Sequence, residues 1–293
     1  MRAKEAEHGI GRSASLRAMS PTVDAILLGR GYTATLVAQR LVARGVRVLA
    51  STRRPASGLA GVEALRLDAS DPGTVAALGE RASRLAPGYA VLCSVPPGPE
   101  QDRDPVAPLL AALPGAGRIV YLSTTSVYGD ALEIDERTPP APRTPADRLR
   151  LAAEAAVLGG PWPGLVLRPA AIYGPGRGLH VLLREGRLPP LDPDKPGSRI
   201  HVDDLAALCD AALEARITGA FPVADDEPAT PREVAALCAA LGLPAARFEP
   251  GVARHGARRV DGRAIRRALG VTLRFPSYRQ GIRAALAAER AAP

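Results

Sequence analysis

The chain of 293 residues has an ordinary globular composition with a basic balance: 46% of the residues are hydrophobic, 23% are charged, and the formal net charge is +8. Its arginines are spread along the chain, and the densest groups are pairs. A nucleic-acid binder typically gathers its charge into one basic patch or stripe, so direct nucleic-acid binding is not expected. Solvated helix faces and an anionic ligand account for the charge.

The first 20 residues contain no apolar stretch, and no run in the chain approaches the roughly 18 apolar residues of a membrane span. We expect a disordered tail over residues 1–20 and a cytoplasmic protein that binds no membrane. The three cysteines, Cys93, Cys209 and Cys238, lie far apart in apolar contexts without the spacing of metal ligands. They predict buried, reduced thiols and no metal site.

Short apolar runs alternate with amphipathic stretches over the first half of the chain. The runs have the composition of strands buried on both faces of a parallel sheet. They cover residues 25–28, 46–50, 65–67, 90–93, 119–122 and 165–167. This alternation predicts an α/β fold, a Rossmann-type doubly wound parallel sheet.

The pattern changes after residue 173. Residues 174–200 are rich in Gly and Pro, and a capping box at Thr230 and Glu233 predicts the start of a later helix. We predict a dinucleotide-binding domain of residues 21–173 plus 201–223. Residues 174–200 plus 224–293 would form a small substrate lobe over the carboxyl edge of the sheet, where ligands of such sheets bind.

A glycine turn joins the first predicted strand to the first predicted helix. Gly29 permits the tight turn and Gly31 lets the backbone approach a pyrophosphate, while Ala34 allows the helix to pack closely on the strand. The alternative is an ordinary strand-to-helix turn. We predict dinucleotide contacts from Gly29, Arg30, Gly31, Tyr32 and Thr33.

The second predicted strand ends at Thr52, Arg53 and Arg54, without the acid that usually binds the ribose 2′-hydroxyl of NAD. Arginine binds phosphate through two parallel hydrogen bonds, which suits a 2′-phosphate. We therefore favour NADP(H) as the cofactor, with NAD(H) less favoured. The alternative is a solvated arginine pair before Pro55.

Residues 118–129 form an apolar strand followed by a turn rich in Ser and Thr that ends at Val127, Tyr128 and Gly129. The segment resembles the fifth strand of extended short-chain dehydrogenase/reductases of the epimerase/dehydratase-like branch. The resemblance implies a Rossmann fold, a nucleotide cofactor and a role for Thr124 in polarising a substrate carbonyl. Capping of the turn is the alternative role for this hydroxyl.

The resemblance runs from about residue 24 to residue 290 and implies further cofactor contacts. Asp68 would contact adenine or, alternatively, cap the following turn. The turn after the fourth strand would lie against the ribose or simply be rigid, and the sixth-strand segment would support the nicotinamide. These additional predicted cofactor residues are Ser94, Val95, Pro96, Ser123, Arg168 and Pro169.

The helix that should carry the catalytic Tyr-x-x-x-Lys of these relatives has neither residue. If Glu154 is aligned with the Glu that follows the lysine, Ala146 replaces the tyrosine and Arg150 replaces the lysine. Arg150 could bind the nicotinamide ribose or a substrate anion, or form an i,i+4 pair with Glu154, but it cannot act as a base. A proton must then come from Tyr128, Tyr173, a carboxyl group or water, or else no proton is transferred.

Three functions are compatible with these residues, with Thr124, Tyr128 and Arg150 as candidate catalytic groups. The first is an NADP(H)-dependent oxidoreductase or epimerase-like enzyme acting on a small carbonyl or sugar-like molecule. The second is a non-catalytic NADP(H)-binding regulatory protein, and the third is a cofactor-assisted isomerase or lyase. The expected partners are a small-molecule substrate and a second copy of the chain in a homodimer. His201 is expected to position a loop or to act in acid–base chemistry.

Overall fold

The computed structural model describes residues 24–53, 58–96, 104–188, 192–248 and 258–291. The predicted tail over residues 1–20 and Arg54 lie outside these ranges. A parallel sheet of seven strands, in the order β3-β2-β1-β4-β5-β7-β10, organises the fold. Its strands are β1 (Ala25–Leu28), β2 (Val48–Thr52), β3 (Val62–Arg66), β4 (Ala90–Cys93), β5 (Arg118–Leu122), β7 (Gly164–Pro169) and β10 (Gly219–Val223). The predicted Rossmann-type α/β fold is confirmed.

Helices cover both faces of the sheet. The described helices are α1 (Tyr32–Ala43), α2 (Pro72–Ala82), α3 (Val106–Ala111), α4 (Pro145–Leu158), α5 (Leu179–Arg184), α6 (Val202–Glu214), α7 (Pro231–Ala240), α8 (Arg263–Leu269) and α9 (Tyr278–Ala291). On one face, Val37 of α1 and Leu208 of α6 pack in one apolar cluster. On the other, Leu78, Leu109 and Val157, from α2, α3 and α4, pack in a second cluster. The alternating side chains of each strand enter both clusters, which is why these strands are apolar on both faces.

The third strand differs from its prediction. The apolar run at residues 65–67 led us to expect a strand buried on both faces, but β3 begins at Val62 and its residues are half-buried or exposed. The reason is its place at the edge of the sheet, where it pairs only with β2 and Val62 lies opposite Val48. An edge strand lacks a neighbour on one side and buries less of its surface.

The strand order reverses between β1 and β4, which are neighbours in the sheet. From β1 the chain continues toward one edge of the sheet, through β2 and β3, and from β4 it continues toward the other edge, through β5 and β7. Doubly wound sheets bind ligands in the crevice outside the carboxyl ends of the strands at such a switch point. Gly29 follows β1 and Ser94 follows β4, so both lie at this crevice.

Two short parallel pairs lie outside the main sheet: β6 (Glu133–Ile134) with β11 (Arg259–Val260), and β8 (Ala171–Tyr173) with β9 (Arg199–His201). A separate apolar cluster joins α5, α7 and α9 through Leu183, Val234 and Ile282. The predicted capping box of α7 is confirmed, because Thr230 and Glu233 each bind the other's backbone N–H. The division into a dinucleotide-binding domain and a substrate lobe stays a prediction.

Candidate active site

The glycine loop after β1 is held by two serine hydroxyls. Gly29 has a φ of +88°, a conformation that side chains other than glycine rarely adopt. Its N–H donates to Ser51 Oγ at 2.9 Å, and its carbonyl accepts from Ser94 Oγ at 2.6 Å. Ser94, which was predicted as a cofactor contact, therefore supports the glycine loop. Ser51 was missed by the sequence analysis, although a hydroxyl at the end of the second strand was visible there.

The first turn of α1 is open toward the crevice. Gly31 precedes the helix in extended conformation and provides no side-chain cap. By contrast, α2, α4, α6 and α7 are all capped by a side chain, namely Asp71, Thr144, His201 and Thr230. Among the described residues, a Cβ atom placed on Gly31 would contact nothing within 4 Å, so there is open space at the Gly31 Cβ position. Exposed N–H groups and the helix dipole make such a turn a binding site for phosphate.

The end of β2 presents a positive charge beside this loop. Arg53 is exposed, and the backbone N–H of Arg30 donates to Ser51 O at 2.7 Å, which ties the glycine loop to β2. The carboxylate of Asp68 accepts hydrogen bonds from the hydroxyl and the N–H of Ser70, and these bonds lower the pKa of Asp68. Asp68 thus has the turn-capping contacts foreseen as its alternative role, and its contact with adenine stays a prediction.

A hydroxyl-rich turn follows β5 at the same edge of the sheet. Ser123 is buried, and its hydroxyl has no hydrogen-bond partner among the described residues. Thr124 caps a short 3-10 turn (Thr125–Tyr128), and its Oγ1 accepts from the N–H of Ser126 at 3.3 Å. In this contact the Thr124 oxygen is the acceptor, so its own proton is not used. Ser126 in turn donates to Asp147 Oδ1 at 2.5 Å, which fixes the turn against α4.

A buried ion pair lies behind this turn. Arg168 on β7 donates from Nη2 to Glu154 Oε2 at 2.5 Å and from Nη1 to Tyr128 Oη at 3.0 Å. Burial alone would lower the pKa of Arg168, but the Glu154 carboxylate and the Tyr128 oxygen raise it. The i,i+4 pair of Arg150 with Glu154 that the sequence offered as an alternative is therefore wrong. Glu154 is buried on the inner face of α4, where Arg168 reaches it from the neighbouring strand.

The phenols offered as proton donors are enclosed. Tyr128 is 1% exposed and Tyr173 is 4% exposed, and the Tyr173 hydroxyl points toward Ser277 O at 3.5 Å. Burial raises the pKa of Tyr128, against the opposing effect of Arg168. Five of the six tyrosines are buried; the exception is the half-buried Tyr32. The position of the relatives' tyrosine, Ala146, is exposed, and Arg150 is half-buried.

His201 has a structural role at the start of α6. Its Nδ1 accepts from the N–H of Asp203 at 3.2 Å, and its ring packs edge-on against Tyr173. Burial lowers the pKa of His201 to about 4, so the ring is neutral at physiological pH. A histidine that caps a helix and is 1% exposed positions the backbone, in line with the first of the two roles expected for it.

A cavity of about 790 Å³ lies beside β6, β11 and the segment after β10. Its lining is rich in charge and includes Asp135, Asp226, Asp261 and Arg263, but none of the predicted site residues. Within the described residues, no cluster of three or more His, Cys, Asp or Glu side chains could hold a metal ion. None of the described helices is both long enough and apolar enough to cross a membrane.

Comparison with known proteins agrees with this architecture. A model of the NAD-dependent epimerase/dehydratase family matches residues 101–188. A functionally unknown conserved protein from Silicibacter pomeroyi, whose structure is solved, is 32% identical, with a TM-score of 0.72 over 91% of this chain and 99% of its own. The family match covers less than a third of the chain, whereas the likeness to the Silicibacter pomeroyi protein extends over nearly all of it. Both matches agree with the resemblance to short-chain dehydrogenase/reductases seen in the sequence.

Two further relatives are more distant or matched over a shorter length. The Bordetella bronchiseptica enzyme WbmG, solved in complex with NAD and UDP, is 19% identical with a TM-score of 0.76 over 90% of this chain and 92% of its own, and shows the shared fold. A 3-diazoavenalumate denitrifying reductase from a Streptomyces species is 44% identical over 75 residues. That match spans 22% of this chain and about a quarter (24%) of the reductase.

Proposed function

We propose that the protein is an NADP(H)-dependent reductase, or an epimerase-like enzyme, that acts on a small carbonyl or sugar-like molecule bound beside Thr124. The observation that carries this proposal is the glycine loop at the switch point of the sheet. There Gly29, in a left-handed conformation that favours glycine, is held by Ser51 and Ser94, and the first turn of α1 has no side-chain cap from Gly31. This arrangement suits the pyrophosphate of a dinucleotide.

The preference for NADP(H) rests on the end of β2. The exposed Arg53, with the adjoining Thr52 and Arg54 of the sequence, offers donors for a 2′-phosphate where an NAD site usually has an acid. Guanidinium groups bind phosphate through two parallel hydrogen bonds, whereas they gain less from a neutral ribose hydroxyl. The sequence-predicted cofactor contacts of Val95, Pro96, Ser123 and Pro169 complete the proposed site.

Different residues of this chain would have different roles at the reaction centre. A bound nicotinamide would supply the hydride. Thr124 would donate a hydrogen bond to the substrate oxygen on which negative charge develops, and the neighbouring buried hydroxyl of Ser123 would orient the nicotinamide. The guanidinium group of Arg150 would bind the ribose or a substrate anion.

The proton for this reaction would come from water. Ala146 cannot donate one, and Tyr128 and Tyr173 are buried in contacts of their own. General acid catalysis contributes typically 10²–10⁴-fold to rate, so a site without a dedicated acid suits an electrophile that accepts hydride readily. The Streptomyces relative is named for a reductive step on a diazo compound, a substrate class of that kind.

The lack of a dedicated acid in the proposed site favours one second candidate, a non-catalytic NADP(H)-binding protein. In that case the glycine loop binds the cofactor as a ligand, and the turn after β5 is structural. The two candidates share the cofactor site and differ only in whether Thr124 contributes to turnover.

A two-step experiment tests the proposal. Thermal denaturation is measured with NADPH and NADH, each titrated to high concentration; a ligand at 100 times its Kd adds about 2.7 kcal/mol of stability. We expect the larger shift with NADPH. A panel of aldehydes, ketones, nucleotide sugars and diazo compounds is then screened for NADPH oxidation. Thr124→Ala should abolish turnover with NADPH affinity unchanged, and Thr124→Ser should retain it.

Each outcome separates the candidates. No shift with either cofactor would refute the cofactor site and both functions. A shift with NADPH but full turnover in the Thr124→Ala variant would refute the assigned role of Thr124. NADPH binding without turnover across the panel would favour the non-catalytic protein.

A further inference from the structure

A tight hairpin at residues 174–177 lies against the glycine loop. The N–H of Gly174 donates to Arg177 O at 2.9 Å, and the N–H of Arg177 donates back to Gly174 O at 3.0 Å. At its tip, Pro175 O accepts from Tyr32 Oη at 2.9 Å. Tyr32 is the first residue of α1, directly after Gly31. The hairpin is thereby fixed to the element that faces the crevice.

The other side of the hairpin is held by the last helix. Glu289 on α9 accepts from the N–H of Gly176 at 2.6 Å, and the same carboxylate contacts His180 Nε2 at 3.3 Å and pairs with Arg184. Burial alone would raise the pKa of Glu289, but the hydrogen bonds from Gly176 and Arg184 lower it. The carboxylate is therefore ionised at neutral pH and holds the hairpin from behind.

The hairpin, held by these contacts, carries one cation on the side of the glycine loop, the guanidinium of Arg177. The guanidinium of Arg177 lies over the Tyr32 ring, 5.6 Å from its centroid, while the residue remains exposed. In the described part of the chain no carboxylate pairs with Arg177, whereas its neighbours Arg184 and Arg187 pair with Glu289 and Glu185. A preorganised arginine without an acidic partner, beside a site that suits phosphate, is placed to bind an anion.

We infer that Arg177 binds the pyrophosphate of the dinucleotide, opposite the backbone N–H groups of the glycine loop. The inference rests on the proposed cofactor site and adds a residue from outside the dinucleotide-binding loop. The Tyr32 ring supports the guanidinium plane, and Tyr32 and Glu289 fix the hairpin before the cofactor arrives. Little side-chain or backbone ordering then remains to oppose binding.

Direct cofactor titration tests this assignment, with Kd values for NADPH and NADH measured by calorimetry for the wild type and the variants. Hydrogen bonds to charged groups contribute enough that Arg177→Ala should weaken binding about tenfold or more. Both cofactors share the pyrophosphate, so the two Kd values should rise by the same factor. Arg177→Lys, which keeps the charge and loses the planar fork, should fall between the wild type and the alanine variant.

Two controls locate the effect. Arg187→Ala removes an exposed arginine a few residues further along the same segment, and should leave both Kd values unchanged. Arg53→Ala should weaken NADPH more than NADH, because its proposed contact is the 2′-phosphate. Tyr32→Phe keeps the ring and removes the hydrogen bond to Pro175, and should weaken both cofactors by a smaller factor than Arg177→Ala.

The inference is overturned if Arg177→Ala binds both cofactors as tightly as the wild type. It is equally overturned if only the KM for substrate rises, since Arg177 would then bind the substrate. A wild-type protein that binds neither cofactor overturns the proposed function as well, and so is distinguishable from a failure of Arg177 alone. Should Arg177→Ala fold poorly, the Arg177→Lys and Tyr32→Phe variants decide the question.

Discussion

The two sides of the crevice at the carboxyl edge of the sheet use different chemistry. On the proposed cofactor side, the groups that would face the ligand are the backbone of residues 29–34, and the hydroxyls of Ser51 and Ser94 hold Gly29. On the proposed reaction side, the resemblance implies a dependence on two individual side chains, and the predicted alignment places Ala146 and Arg150 at their positions. A backbone site tolerates much change in side chains, whereas proton transfer is lost with a single substitution.

The proposed reaction side contains a buried polar network. Glu154, Arg168 and Tyr128 form a closed network beneath α4, and all three side chains are buried. The comparison therefore predicts that substitutions in this buried network act mainly on folding, and that substitutions where the glycine loop would approach the ligand act mainly on binding.

The largest expected effect is on the buried ion pair. Glu154→Ala leaves the Arg168 guanidinium buried without its carboxylate, which costs about 3–5 kcal/mol of unfolding free energy. The melting temperature should fall by on the order of 10 °C. Urea unfolding followed by circular dichroism measures both the free energy and its denaturant dependence.

An exposed ion pair is the matched control for this variant. Asp194 pairs with Arg232 at the surface, so Asp194→Asn should leave the melting temperature nearly unchanged. The double variant Glu154→Leu, Arg168→Met removes both charges and should recover much of the lost stability. Equal melting temperatures for Glu154→Ala and the wild type would contradict the assigned role of the network.

The next largest effects concern two glycines on the cofactor side, which we expect to respond differently to substitution by alanine. Gly29→Ala forces a side chain into a φ of +88° and places Cβ 3.1 Å from Ser94 Oγ, at a cost of about 1–2 kcal/mol in stability. Gly31→Ala has a φ of −95° and free space around Cβ, so stability should not change. Its methyl group instead lies where the backbone should approach the pyrophosphate, and NADPH affinity should fall.

Melting temperatures without ligand and Kd values for NADPH distinguish these two roles. If Gly31→Ala bound NADPH as tightly as the wild type, the pyrophosphate would not lie at this loop. A Gly29→Ala variant as stable as the wild type would show that the turn relaxes without strain.

The sequence predicted the first strand, the glycine turn and the first helix well, because their features are local. The turn at Gly29 and Gly31 lies between a strand and a helix whose apolar periodicity is readable within a few residues. The edge position of β3 was not readable, since a short apolar run looks alike in the centre and at the edge of a sheet. The support of Gly29 by Ser51 depends on strands being neighbours, which follows only once the strand order is known.

The reaction side was harder to predict, because its contacts are distant in sequence. Glu154 has a candidate partner four residues before it, in Arg150, but binds Arg168 from another element. The difference lies in burial: Glu154 is buried where Arg168 of β7 reaches it, while Arg150, one turn earlier in α4, is only half-buried. Likewise, the contact of Arg177 with Tyr32 joins residues 145 positions apart that no local pattern connects.

The smallest expected effect on stability tests whether the reaction side could still accept the missing tyrosine. Ala146 is exposed near the start of α4, so Ala146→Tyr should change the unfolding free energy by no more than about 0.5 kcal/mol. Ala153 lies on the same helix but is fully buried, so Ala153→Tyr should cost roughly 1–3 kcal/mol or more by overpacking. A large loss of stability in Ala146→Tyr would show that this face of α4 is closed.

The double variant Ala146→Tyr, Arg150→Lys extends the same test from stability to chemistry. It restores the acid and its lysine partner at one helix face, with NADPH affinity expected to stay at the wild-type value. Reduction of a carbonyl probe should then rise, because a placed acid contributes up to about 10²–10⁴-fold in such reactions. No increase would mean that the reaction side differs from that of its relatives at more than these two side chains. It would also mean that the substrate that accepts the hydride needs no proton from the protein.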